Sequence, residues 1–162
     1  MQEATILQIE DNEDILLLGK RVFMEAGFNF LSAKTGDEGL RKALKRKPSV
    51  IILDYYLGDE TGTHFIKKLA TEDKYKSIRK TPTIILSGNA NLEKELEGYF
   101  ALGLRAVLKK PFGYRELVNV VENIITLERL QSQAERLSAD NPSAELYIPK
   151  WVDEVRMNAE TI

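Results

Sequence analysis

Val50-Ile51-Ile52-Leu53-Asp54 is a short run of β-branched and leucine side chains closed by a carboxylate. A continuous apolar run of that length is the mark of a strand buried on both faces, and so of a parallel sheet. Three other runs share the form. Ile6-Leu7-Gln8-Ile9 leads into Glu10-Asp11, Thr83-Ile84-Ile85-Leu86 into Ser87, and Ala106-Val107-Leu108 into Lys109-Lys110-Pro111. A weaker fifth, Phe28-Asn29-Phe30-Leu31, follows Gly27 and suits a strand nearer the sheet edge. If these strands are parallel neighbours, their carboxyl ends lie along one edge, where open α/β sheets bind ligands. Acids, a hydroxyl and an ammonium group then converge on a metal-assisted phosphate site.

Helix-like segments separate the runs. From Asn12 to Ala26, Ile15, Leu18, Val22 and Ala26 fall near helical spacing, and Gly27 is placed to end the helix. Gly36 to Lys47 carries Leu40, Ala43 and Leu44 before Pro48, and Thr63 to Ala70 carries Phe65, Ile66 and Leu69. Leu92 to Leu102 carries Leu92, Leu96, Tyr99 and Phe100, with Gly103 as its expected C-terminal cap. A last helix opens near Tyr114. Strands alternating with helices predict right-handed βαβ units with helices on both faces of the sheet.

The chain has 162 residues, 43% of them hydrophobic and 30% charged, with a net charge of −2. That suits one domain with an appendage and gives no reason to expect DNA binding. The basic stretch Arg41, Lys42, Lys45, Arg46 and Lys47 fits a helix C-terminal turn, where cations complement the exposed carbonyls. There is no cysteine, so disulfides and thiolate metal sites are excluded. The opening residues contain no signal-peptide pattern, and no apolar run approaches the roughly 18 residues that span a bilayer. The expectation is a soluble, cytoplasmic chain without membrane contact.

Each candidate site residue is ambiguous alone. Asp54 suits a nucleophile, a metal ligand or a helix cap, and the following Leu57-Gly58-Asp59-Glu60-Thr61-Gly62 loop favours an exposed functional carboxylate. Glu10 and Asp11 are adjacent acids that repel each other without a cation, and Mg²⁺ suits such a sparse carboxylate set. Asp11 or Asn12 is equally placed to cap the first helix. Ser87 can donate to a phosphoryl oxygen, and Lys110 can neutralise one, with Lys109 its rival by position.

Taken together, Ile9-Glu10-Asp11-Asn12-Glu13-Asp14, Ile51-Ile52-Leu53-Asp54 with Gly62 downstream, Ile84-Ile85-Leu86-Ser87-Gly88 and Leu108-Lys109-Lys110-Pro111-Phe112 resemble the receiver domain of bacterial two-component response regulators. The resemblance implies a flavodoxin-like, doubly wound five-stranded parallel sheet of order 2-1-3-4-5. It implies that Asp54 accepts a phosphoryl group from a sensor histidine kinase or a phosphotransfer protein. Glu10, Asp11, Asp54 and the backbone carbonyl of Tyr56 would hold Mg²⁺, and Ser87 would bond the phosphoryl oxygen. Lys110 rather than Lys109 would be its counter-ion, preceding a cis Lys110-Pro111 bond. The output would be a conformational switch read by an unknown downstream protein, and the chain is a phosphoacceptor rather than an enzyme.

Several positions depart from that pattern. The aromatic residue usual three places before the lysine is Val107, which has no ring to present to a partner. Gly58 stands where proline is usual, and Glu10 where aspartate is commoner. Tyr56 and Asn89 occupy positions expected to border the site and tune the lifetime of an acyl phosphate. His64, the single histidine, reads as an exposed helical residue. Leu16, Leu17 and Leu18 exceed what one core stripe requires and read either as extra burial or as part of a kinase-docking surface. An aspartate-nucleophile phosphatase would need a second aspartate two residues on, where Tyr56 stands. The alternative from another class is a phosphorylation-independent interaction or dimerisation module.

Residues 1–126 therefore form the expected receiver domain and residues 127–162 a helical C-terminal extension. Leu127, Leu130, Ala134 and Leu137 recur at spacings of 3, 4 and 3, a short coiled-coil-like seam that suggests a homodimer or packing onto the domain. Asp140-Asn141-Pro142-Ser143 breaks the pattern, and Trp151, Val152 and Val155 suit one face of a short helix beyond Pro149.

Overall fold

A computed structural model describes residues 3–89 and 91–140. The readings made for Trp151, Val152 and Val155 lie outside the described residues.

The apolar runs form strands β1 (Thr5–Ile9), β3 (Val50–Asp54), β6 (Thr83–Ser87) and β7 (Leu104–Lys109), with β2 (Asn29–Ala33) as the weaker fifth. They pair in parallel in the order β2-β1-β3-β6-β7. Counting these five strands alone, that is the 2-1-3-4-5 order. A small antiparallel hairpin of β4 (Tyr56–Leu57) and β5 (Glu60–Thr61) lies outside the sheet. It occupies the stretch expected to be a loop. Gly58 takes φ +60° in its two-residue turn, a conformation that suits glycine.

Among the described residues five α-helices complete the fold: α1 (Glu13–Glu25), α2 (Gly36–Arg46), α3 (Gly62–Thr71), α4 (Leu92–Leu96) and α5 (Tyr114–Asp140). They divide the core into two layers. Alternate strand residues Leu7, Ile9, Ile51, Leu53 and Ile85 pack with Leu40, Phe65, Leu69, Leu92 and Leu96 of α2, α3 and α4. Ile6, Val50, Ile52 and Ile84 face Phe23 of α1 and Leu117, Val121 and Ile124 of α5. Val107 is buried in the first layer, packed as an aliphatic core residue.

Two helices differ from the sequence reading. In α1 the buried stripe is Leu16, Gly19 and Phe23, one residue on from the expected Ile15, Leu18 and Val22. Leu17 and Leu18 are thereby left exposed. The segment expected as one helix from Leu92 to Leu102 is a five-residue α4 followed by a 3₁₀ turn at Glu97–Tyr99. Its core positions are nevertheless the expected ones, with Leu92 and Leu96 buried and Tyr99 and Phe100 packed against the same core layer.

The α2 C-terminus is as read: Lys45 and Arg46 lie in the last turn, and Lys47 closes it in the left-handed conformation. Asn12, not Asp11, caps α1, its side chain accepting from the N–H groups of Asp14 and Ile15. Helix α5 runs without interruption past residue 126, where the sequence suggests a boundary, and ends its described course at Asp140.

Gly103 serves close packing rather than a helix cap. A Cβ there would stand 2.5 Å from the Thr81 carbonyl oxygen and 2.8 Å from that of Arg79. Both obstacles are backbone, and the Gly103 carbonyl itself accepts from Thr83 N–H at 2.8 Å. Gly103→Ala is expected to destabilise the fold by about 1–3 kcal/mol, because the turn and β7 must move apart. A urea denaturation midpoint equal to that of the wild type would contradict this.

Candidate functional site

The sheet register sets the site. Ile9 pairs with both Ala33 and Leu53, Asp54 with Leu86, and Ser87 with Lys109. The ladder continues past the strand ends: Glu10 N–H donates to Ala33, Tyr55 N–H to Leu86 and Lys110 N–H to Ser87, at 2.9, 2.9 and 2.8 Å. Glu10, Asp54, Ser87 and Lys110 are thus held at one edge by main-chain bonds.

One carboxylate oxygen from each of Glu10, Asp11 and Asp54 lies within 4.8 Å of the others. Glu10 and Asp54 are buried, while Asp11 is exposed. Capping by Asn12 leaves the Asp11 carboxylate to the cluster. Lys110 Nζ lies 3.0 Å from Asp54 Oδ2, and Tyr56 N–H donates to Oδ1 at 3.2 Å. Spacing alone left Lys109 and Lys110 as equals; the structure places Lys110 on Asp54. The Lys110-Pro111 bond is cis, as the resemblance implied.

Ser87 is buried on the adjacent strand at the same edge. Its Oγ accepts from Asn89 N–H at 3.0 Å. The Tyr56 side chain is exposed, with its ring 4.9 Å from that of Tyr55, and Asn89 is exposed in the loop after β6. His64 is exposed on α3, away from any chemical role in the cluster.

One group of polar residues was not visible in the sequence. Tyr55 OH lies 3.3 Å from the Glu95 carboxylate, and Thr63 Oγ1 reaches that carboxylate at 2.8 Å. This ties the end of β3 to α3 and α4 beside the site. No periodicity or motif connects residues 55, 63 and 95.

The cluster carries more negative charge than Lys110 balances. Burial, reinforced by the carboxyl of Asp54 against it, pushes the Glu10 pKa up to about 8 from an ordinary 4.5. Three converging carboxylate oxygens, one of them poorly tolerated as an anion, make a donor set suited to a hard divalent cation.

Residues 6–122 match the response regulator receiver domain. The chain belongs to this family. It is 30% identical over 128 residues to a probable transcriptional regulator ycf29 of Porphyra purpurea, covering 78% of this chain and 59% of that one. It is 28% identical to the transcriptional regulatory protein CpxR of Klebsiella pneumoniae, covering 87% and 57%. A tenth of the histidine kinase P4 of Formosa agariphila also aligns, at 27% identity over 85% of this chain. The chain thus spans less than two thirds of these relatives.

Among solved structures, chemotaxis response regulator CheY4 of Vibrio cholerae superposes with a TM-score of 0.64 at 30% identity, covering 76% of this chain and 99% of that one. The receiver domain of Francisella response regulator 1452 gives 0.65 at 27%, covering 76% and 98%. The fold is therefore the CheY-like, flavodoxin-like one. Among the described residues no helix is long and apolar enough to cross a membrane.

The raised Glu10 pKa makes the stability of the metal-free protein pH-dependent. In the folded chain Glu10 holds its proton up to about 8, whereas the unfolded chain loses it near 4.5. The folded state then binds the extra proton, so its stability is greatest below the unfolded value and is lost as pH rises through the folded one. The expected melting temperature falls between pH 5 and 8 without divalent metal, and Mg²⁺ or Glu10→Gln flattens the slope. A metal-free melting temperature that rises over this range would contradict the assignment.

Proposed function

We propose that Asp54 accepts a phosphoryl group from a phosphohistidine on a sensor histidine kinase or phosphotransfer protein. The observation that carries this reading is the lone Lys110 ammonium 3.0 Å from Asp54, beside three clustered carboxylates. Glu10, Asp11, Asp54 and the Tyr56 carbonyl would hold Mg²⁺, with Glu10 acting directly or through water. Bound there, the ion would offset charge on the transferring phosphoryl group.

The remaining work falls to side chains of the chain itself. An Asp54 oxygen attacks phosphorus in line, the bond to the donor imidazole nitrogen breaks, and an acyl phosphate forms. Lys110 gives up its pairing with Asp54 for a phosphoryl oxygen. Ser87 donates its hydroxyl proton to another while its Oγ keeps accepting from Asn89 N–H, which ties the loop after β6 to the phosphoryl group. This is the switch read by the unknown downstream protein, and its place of action is the cytoplasm.

Residues 1–126 act as the receiver and 127–162 as an output extension. The exposed Leu17 and Leu18 of α1 lie on the helix that enters the site at Glu13, and we assign them to contact with the phosphodonor protein.

The extension supports a homodimer. Along α5, Leu127 and Ala134 take one core position of a heptad and Leu130 and Leu137 the other, with Leu137 two-thirds exposed. The flanking positions are Thr126, Gln131, Gln133 and Ser138, all neutral, while Glu128, Arg129, Glu135 and Arg136 lie outside the seam. A second copy therefore meets no like charge along the contact. Light scattering should show mass rising with concentration towards a dimer, and Leu130→Glu with Leu137→Glu should abolish the rise. A wild-type chain that stays monomeric at its solubility limit would refute the dimer.

Intact mass after incubation with acetyl phosphate and Mg²⁺ tests the chemistry. One added phosphoryl group is expected on the wild type and none on Asp54→Asn. Lys110→Ala should slow uptake by roughly 10²-fold, the loss typical of removing one preorganised charge-stabilising donor. No uptake by the wild type would favour a phosphorylation-independent module instead.

A further inference from the structure

Gln8 is the one polar side chain within the apolar body of β1, and it is 1% exposed. It lies between Ile6 and Glu10 on the face of β1 covered by α1 and α5. Among the described residues, neither atom of its amide has a hydrogen-bond partner. Buried amides are rarely left so, because both the donor and the acceptor have given up water.

Its surroundings are adapted to it. Gly19 of α1 packs directly over the amide, and any Cβ there would collide with Gln8 Oε1. Tyr114, the first residue of α5, is half-buried beside it. The Tyr114 hydroxyl makes a long contact, 3.4 Å, to the Ile15 carbonyl of α1. Burial raises the phenol's pKa; the Gln8 amide partly offsets that rise and the Glu10 carboxylate adds to it. The hydroxyl thus stands within reach of the amide and in the field of the acidic cluster. The polar atoms of β1, α1 and α5 meet here behind the site, in an arrangement that leaves the amide unmade and the hydroxyl weakly made.

We propose that Gln8 and Tyr114 form a buried latch between the acidic cluster and α5, open in this structure and closed when the site is phosphorylated. Gln8 is then a positioning residue: it acts through Tyr114 and touches no reacting atom. Closing the latch exchanges the long Tyr114–Ile15 contact for a hydrogen bond with the Gln8 amide and reseats the first turn of α5. Since α5 is continuous from Tyr114 to Asp140, the reseating is carried along one rigid element into the seam of Leu130 and Leu137. The latch offers a route to the output that does not depend on an aromatic ring at Val107.

The inference rests on Asp54 being the acceptor, and its test separates the two. The full chain is studied with and without Mg²⁺ and beryllofluoride, a phosphoryl mimic, as wild type, Gln8→Leu, Tyr114→Phe and the double variant. Fluorine NMR reports binding of the mimic, and amide hydrogen exchange reports the first turns of α5. In the wild type the mimic should bind and slow exchange at residues 115–118 severalfold.

Gln8→Leu should melt higher than the wild type without ligand, still bind the mimic, and lose most of the α5 response. Tyr114→Phe should lose the same response and the double variant no more, since both break one contact. If Gln8→Leu fails to fold, Gln8→Met, closer in shape, takes its place. A variant that binds the mimic with the wild-type α5 response overturns the latch and makes Gln8 a site for a structural water. Additive losses in the double variant overturn it as well. Failure of the wild type to bind the mimic overturns the acceptor reading and the latch together.

Discussion

The structure is organised around the repulsion of three carboxylates held at one sheet edge with a single ammonium group. Acids this close, two of them buried, do not gather by chance collapse; main-chain bonds at the ends of β1, β3, β6 and β7 hold them there. The continuous apolar strands supply the rigidity, because each is covered by helices on both faces. The core thus stores unfavourable electrostatics at the edge, in the form of a Glu10 that resists ionisation. Binding a cation or rearranging Lys110 relieves that cost, so the site is built to change state.

Much of this was legible in the sequence because strand ends are legible. A buried parallel strand reads as an unbroken apolar run, so the first polar residue after it is also the residue at the sheet edge. In this way the sequence alone places Glu10, Asp54 and Ser87 at that edge. The choice between Lys109 and Lys110 was not fixed in this way. Lys109 is the last residue of β7 and Lys110 the first beyond it, and the fold places the Lys110 ammonium 3.0 Å from Asp54.

Where the reading missed, the cause is also physical. Three consecutive leucines at 16–18 make the phase of α1 ambiguous, and its true stripe passes through Gly19, which a search for apolar side chains does not count. The β4–β5 hairpin has strands of two residues, too short for alternation to register. Gly103 looked like a helix cap because it follows an apolar segment, but it is there to let β7 pass the 79–81 backbone. The Tyr55–Thr63–Glu95 contacts join residues 8 and 32 positions apart, and only the fold brings them together.

The same contrast bears on how a signal leaves the site. Val107 is sealed in the α2, α3 and α4 layer as a core aliphatic, so it cannot swing out as a reporter without opening that layer. The α1 and α5 layer is different in kind. It contains a buried amide, a half-made hydroxyl contact and a glycine of α1 packed on that amide, all of which tolerate small displacements better than interlocked aliphatic packing does. The helix leaving that layer is the one that continues beyond the receiver fold. A signal that follows the less tightly committed layer therefore arrives at α5, where Leu130 and Leu137 are exposed.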